Sequence, residues 1–407
     1  MRKHLMLLVV VALCLTPLSA AAPTARPEDV GLSTDRLKRI GELMQRHIAA
    51  KTFAGAVSLV ARNGRIAHFE THGLMDLETK KPMQKDAIFR IMSMTKPVVG
   101  VAVMMLVEEG KVRLADPVSK FIPDLQGLSA VVLNAEGRVA PAPSGAVTAA
   151  MPSRTVPAER EITVRDLLTH TSGLMSGGMS ASSNNDVMPK AGETVAQIMP
   201  RLKKVPLDFQ PGTRWAYSGQ FGFDVLLRVV EVASGMPFDQ FARQRIFEPL
   251  GMKDTSFYPM PGNPRVATLY EQANGSLRKA ANPPFMNGAY LSGGGGLYST
   301  AEDYLQFALM LLNRGQLDGK RLLHAERRCD EQRLRARYAA WPPRWRGLRL
   351  ERARRRQPGG SQHLSVEGQL RVERRLQHAL LHRSDRAPRR SVHDAGRRPR
   401  HTRRNSR

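Results

Sequence analysis

The sequence predicts an α+β fold in which an antiparallel sheet flanked by helices joins a helical region. Three features point there. Two apolar segments in "FAGAVSLVARNGRIAHF" (53–69) surround Asn63-Gly64, a pair suited to a two-residue hairpin because both residues tolerate positive φ. The stretch 93–109 is apolar nearly all round, through Val98, Val99, Val101, Val103, Met104, Met105 and Leu106, as a helix buried at the centre of a domain should be. Several later segments combine amphipathic periodicity with a cap at the start and glycine at the end. At 407 residues the chain has room for one large core.

Along the chain, residues 1–22 carry positive charge, then an apolar run too short to span as a mature helix, then small residues. They read as a signal peptide, which places the mature protein in the periplasm or outside the cell. Cys14 follows Leu13 rather than a small residue, so no lipid anchor is expected there, and no stable membrane anchor remains after cleavage. The other cysteine, Cys329, has no partner for an internal disulfide. The Asn63-Gly64 hairpin opens the sheet, and the buried helix runs from Ser93 to about Gly110. Segments 124–160 (Ala, Pro, Gly, Ser) and 172–192 (Ser, Gly, Met, Asn) read as surface excursions. Between them Thr163 caps a helix reaching Leu168. "FDVLLRVVEVASGMPFDQFARQRIFEPLGM" (223–252) gives two helices broken at Gly235 and Pro237, and "STAEDYLQFALMLLNRG" (299–315) another, with Ser299 as cap and Glu302 completing a capping box.

The formal charge of +26 suggests a nucleic-acid partner until its distribution is considered. Residues 325–407 hold 25 arginines, no lysine and 8 acidic residues, so most of the excess sits in the tail. That tail has no aromatic residue beyond Tyr338, Trp341 and Trp345 near its start and no recognisable binding module, so no nucleic-acid partner is expected. Residues 28–323 read as one folded domain, and 324–407 as an anomalous, disordered Arg-rich tail.

Chemistry concentrates at "FRIMSMTKPVVG" (89–100). On a helix, residues three apart share a face, so Lys96 projects beside Ser93. A serine hydroxyl needs a base to become a nucleophile, and a lysine serves when burial or nearby positive charge lowers its pKa. The bare spacing is more often a helix cap beside a solvated lysine, and it recurs at Ser276 and Lys279 in a polar segment. Tyr217, in the turn "PGTRWAYSGQFG" (211–222), adds a phenol able to relay protons. His170 is read as part of a buried hydrogen-bond network rather than as a general base. Asp303 and Glu302 read as helix-start charges. The glycine run 293–296 lacks the lysine of a phosphate loop and reads as backbone lining a cleft, with Gly294 and Gly295 facing substrate. No His/Cys/Asp cluster shows metal-ligand spacing, so no metal or cofactor is expected.

"SMTK" (93–96), "LLTHTSGL" (167–174), "YSG" (217–219), "IFEPLGM" (246–252) and "GGGGLYSTAEDYLQF" (293–307), in that order, resemble the serine beta-lactamase and penicillin-binding-protein superfamily, and within it the class C-like esterases. The resemblance implies a beta-lactamase/DD-peptidase-like fold. It makes Ser93 the acylated nucleophile, Lys96 its base and Tyr217 the second proton carrier, with Ser93 N–H supplying half an oxyanion hole. The substrate it implies is a small ester or a beta-lactam. Gly219 stands where the family carries asparagine, which removes a partner for an acylamino side chain and favours simple esters over beta-lactams. A beta-lactamase or D-amino-acid peptidase is one alternative, and a non-catalytic module that traps an acyl group is another.

The family's late strand, Lys-Thr-Gly or Trp-x-Gly, is not legible after residue 323. Codons compatible with residues 372–395, read one nucleotide later, permit "WSGAYNT", then "IDP", then "ALLVAVFMTQ", the order of the family's C-terminus. The overlaps across 348–351 permit "YGL". The tail is therefore expected to be an out-of-frame translation beginning between about 324 and 345, with the closing strands missing and the printed chain poorly active.

Overall fold

The computed structural model describes residues 22–133, 153–178, 180, 184–259, 261–286 and 288–324. The signal-peptide reading up to residue 21 and the tail from 325, with its alternative frame, lie outside the described residues.

Helix α1 (Thr34–Ala49) starts at Ser33, whose hydroxyl accepts from Arg36 N–H at 3.3 Å. Its apolar stripe, Leu37, Ile40, Met44 and Ile48, is half-buried against the sheet. Strand β1 (Gly55–Arg62) turns into β2 (Arg65–Asp76) through Asn63 (φ 53°) and Gly64 (φ 75°), the two left-handed residues a tight hairpin requires. A short β3 (Lys81–Pro82) completes an antiparallel sheet in the order β1-β2-β3.

Helix α2 (Thr95–Glu108) is the centre of the molecule. Every residue from Thr95 to Leu106 is buried. Its valines are poor helix formers in isolation because χ1 is restricted against the preceding turn. Burial compensates, since each fully buried Val, Leu or Met side chain contributes roughly 1.5–3 kcal/mol. The helix Phe221–Ser234 packs along α2 with its own buried face, from Phe221 through Val230. It ends at Gly235 (φ 74°), and Pro237 restarts the chain into Phe238–Ala242, a π turn over Arg243–Phe247, and Glu248–Leu250. Helix α3 (Val164–Leu168) carries a full capping box between Thr163 and Asp166.

A two-residue ladder positions the site. Strand β4 (Phe89–Arg90) pairs antiparallel with Tyr298–Ser299. Ile91 N–H donates to Leu297 O at 2.9 Å, so the glycine run that precedes Leu297 lies beside the turn that carries Ser93.

Three expectations are corrected. Ser93 lies in a 3-10 turn (Met92–Met94) ahead of α2 and caps nothing; the residue at the α2 N-cap is Met94, without a side-chain bond. The last helix, Ala301–Leu312, is capped by Thr300, which accepts from Asp303 N–H at 3.1 Å. Ser299 is unavailable because it is paired in the ladder and its hydroxyl meets Thr255 at 2.7 Å. Segment 172–192 is no simple surface excursion: Leu174, Ser180 and Val187 are buried, and Asp208 binds Ser176 and Ser180. The other excursion leaves and re-enters as a strand pair, Ser129–Leu133 with Ser153–Pro157. No helix among the described residues is long and apolar enough to cross a membrane.

Candidate active site

Met92 has φ 47°, a left-handed conformation that costs a non-glycine residue on the order of 1–3 kcal/mol. The surroundings hold it there. Thr95 Oγ1 donates to Met92 O at 2.7 Å and accepts from Leu297 N–H at 3.1 Å, which ties the turn to both α2 and the glycine run. The half-buried Ser93 side chain sits at the mouth of α2.

Lys96, one turn on, is 1% exposed. Its Nζ stands 2.9 Å from Ser93 Oγ, 2.6 Å from Gly219 O and 2.7 Å from Gly294 O. An ammonium donates to all three oxygens. A neutral amine has two N–H groups and one lone pair; with the N–H groups on the two carbonyls, the lone pair faces the serine proton. The same cage therefore fits both protonation states. Tyr217 Oη donates to Ser93 Oγ at 2.8 Å, and Lys96 Nζ lies 5.0 Å from the centroid of the Tyr217 ring. A serine and lysine one turn apart thus meet a tyrosine more than a hundred residues further along the chain around one hydroxyl.

Two carbonyls from distant loops make this cage, and each is fixed from behind. Asp224, fully buried in the first turn of Phe221–Ser234, accepts from Tyr290 Oη (2.7 Å), Ser292 Oγ (3.2 Å) and Gly294 N–H (3.0 Å). Burial pushes its carboxyl above the usual range, against the pull of those donors. A Cβ on Gly294 would lie 2.6 Å from Gln220 Cα, so only glycine brings this carbonyl to the lysine. Gly295 O faces Arg90 Nε at 3.4 Å. Nothing lies within 4 Å of a Cβ built on Gly219.

His170 fixes the tyrosine loop. It is left-handed (φ 56°) and 2% exposed; its carbonyl accepts from Ala216 N–H at 3.0 Å and its Nδ1 from Ser218 N–H at 3.2 Å. The ring packs 4.8 Å from Tyr217 and 5.4 Å from Phe223. Burial, and secondarily the Lys96 charge, lower its pKa to about 3, so the imidazole is neutral. Around the opening Met92, Trp215 and Tyr217 present exposed apolar surface.

The structure brings together Ser93, Lys96, Tyr217, Gly219 and Gly294, with Gly295 adjoining. It separates the rival pair: Ser276 and Lys279 lie on an exposed hairpin strand, where residues three apart face opposite sides, and Lys279 Nζ approaches Asp76 at 4.0 Å. Sequence reasoning missed Asp224, although a lone acid within "FGFDVLL", amid buried apolar residues, was a signal. It also found no metal-ligand spacing, whereas His68, Glu70 and His72 converge on β2.

The family described as Beta-lactamase matches the chain over residues 40–344. Protein Rv1367c of Mycobacterium tuberculosis is 35% identical to it over 317 residues, 74% of this chain and 75% of that one. Esterase EstB of Burkholderia gladioli is 31% identical over 293 residues, covering 66% of this chain and 68% of its own. The solved structure of EstCE1, described as a hydrolase with promiscuous acyltransferase activity, is similar with a TM-score of 0.56 at 28% identity, over 70% of this chain and 74% of that one.

Proposed function

The chain belongs to the beta-lactamase family and has its α+β fold, and from that premise we propose that Ser93 is the residue acylated, by small carboxylic esters with apolar groups. That the protein is a serine hydrolase follows from the family and its esterase relatives. The observation that carries the finer reading is the placement of Lys96 Nζ and Tyr217 Oη at 2.9 and 2.8 Å from one hydroxyl.

In the proposed reaction the Ser93 proton passes to the lone pair of Lys96 while Oγ attacks the ester carbon. The oxyanion takes a hydrogen bond from Ser93 N–H, an interaction typically worth about 2.7–4 kcal/mol. Tyr217, recharged by Lys96, delivers the proton to the departing alkoxide. Water then enters, gives a proton back through the same pair, and frees the acid and Ser93. Esters are favoured over beta-lactams because Gly219 offers no side-chain amide to an acylamino group, while Met92 and Trp215 offer apolar surface. Export through the N-terminal segment belongs to the same proposal, and the N-terminus of protein recovered outside the cytoplasm checks it.

The test is labelling with a fluorophosphonate, then parallel assays on a p-nitrophenyl ester and a chromogenic cephalosporin. Wild type should label and prefer the ester; Ser93→Ala should do neither, and Lys96→Met and Tyr217→Phe should each lose about 10²–10⁴-fold in kcat. Labelling that survives in Ser93→Ala overturns the assignment. Faster turnover of the cephalosporin overturns the substrate class, and a burst without turnover makes the protein an acyl trap.

A further inference from the structure

A second cluster lies on the sheet, apart from the serine machinery. His68, Glu70 and His72 are at alternate positions of β2 and so share one face. Each offers one ligand atom, and these atoms all lie within 4.8 Å of one another. His68 Nδ1 is 3.6 Å from Glu70 Oε1. In a tetrahedral zinc site with bonds of about 2.0–2.2 Å, neighbouring ligand atoms are roughly 3.3–3.5 Å apart. One pair is already near that separation, and small side-chain rotations bring in the third.

The surroundings are ordered in a way that suits a metal. Both imidazoles are buried, His68 at 7% and His72 at 5% exposure, while half of the Glu70 side chain reaches solvent. Ser58 on β1 stands opposite Glu70, and its hydroxyl lies 2.7 Å from His68 Nε2 and 2.9 Å from His72 Nε2. A hydroxyl oxygen has two lone pairs and can accept an N–H from each ring. That arrangement puts the proton of both rings on Nε2 and leaves Nδ1 of both bare, the orientation that a partner behind a metal-bound histidine imposes. Helix α1 crosses this spot at its glycine: a Cβ on Gly41 would lie 3.5 Å from Glu70 Oε2 and 3.6 Å from His72 Cε1.

We propose that His68, Glu70 and His72 form a zinc-binding site on the α1 side of the sheet, with Ser58 orienting both imidazoles and the fourth position open to water beside Glu70. Two imidazoles and one carboxylate are ligands that zinc accepts readily. The serine–lysine–tyrosine cage supplies none of these ligands, so occupancy is independent of the hydrolase reading. The alternative is that Ser58 merely satisfies two buried rings, donating to one and accepting from the other.

The experiment uses untagged full-length protein stripped with a chelator, then titrated with zinc chloride and, separately, with cobalt(II) chloride. Expected are one zinc per chain after gel filtration, the intense visible absorption of four-coordinate cobalt, and a rise in unfolding temperature on zinc addition. Glu70→Gln keeps the shape of a half-exposed side chain and should abolish the cobalt spectrum. Ser58→Ala leaves every ligand in place and should weaken zinc affinity by about 10–100-fold. Absence of stoichiometric zinc overturns the proposal, as does binding that Glu70→Gln and Ser58→Ala both leave unchanged.

Discussion

Consider His170→Asn. Asparagine tolerates the left-handed backbone at this position (φ 56°), and its Oδ1 can replace Nδ1 as acceptor for Ser218 N–H, so the change removes a titratable group with little else disturbed. The folded pKa is lowered from 6.5 to about 3, chiefly by burial. Below the unfolded pKa the unfolded chain binds a proton that the folded chain refuses, so stability rises with pH across this window and is lost as pH falls from 6.5 toward 3. At 1.36 kcal/mol per unit, two units below the unfolded value the histidine alone removes about 2.7 kcal/mol relative to neutral pH. That is a large share of a typical total of roughly 5–15 kcal/mol. Urea unfolding of both proteins at about pH 7.5 and about pH 4.5 gives the comparison, and the difference of differences cancels every other titrating group. Wild type should lose about 2–3 kcal/mol more than the variant. Parallel losses in the two proteins would show that the imidazole is not held neutral, and the account of the tyrosine loop would fail with it.

Other consequences can be measured directly. Gly294→Ala puts a Cβ 2.6 Å from Gln220 Cα and 3.1 Å from Gly219 O, so the loop must move and carry its carbonyl off Lys96. We expect a loss of about 1–3 kcal/mol in denaturant unfolding and a kcat lowered by on the order of 10²-fold; a fully active variant contradicts the cage. Gly219→Asn meets open space and should leave stability within about 0.5 kcal/mol. Its ratio of cephalosporin to ester turnover should rise, and an unchanged ratio refutes the role given to the missing amide. For the arginine-rich tail, a gene shifted by one nucleotide near codons 324–345 should yield a chain with faster ester turnover. Genomic reads that confirm the printed frame, or equal turnover by both chains, dispose of that proposal.

The sequence disclosed those parts of the molecule that local physics decides. Asn63-Gly64 dictates its own turn, the apolar circumference of 98–106 dictates burial, and once that stretch is helical the three-residue spacing puts Lys96 beside Ser93. Tertiary pairing decided the rest. Ser299 looks like a cap as well as Thr300 does, and only the ladder with Phe89 removes it from contention. The carbonyls of Gly219 and Gly294 carry no side-chain signature, so their service to Lys96 could not be read. Asp224 was hidden by the strength of the apolar pattern around it. His68, Glu70 and His72 match no metal-ligand spacing typical of a loop or helix, because they follow the period of a strand.

The pairing of Phe89–Arg90 with Tyr298–Ser299 has a bearing on the birth of the protein. A contact across some two hundred residues closes late, since the loop entropy must be met before the contact can stabilise anything. During synthesis the helical core can collect around α2 while Lys96 still lacks one of its two carbonyls. If the proposed mechanism holds, the nascent chain is expected to stay unreactive until Gly294 has emerged and docked on Lys96, so that acylation of Ser93 would report completed folding rather than accompany it.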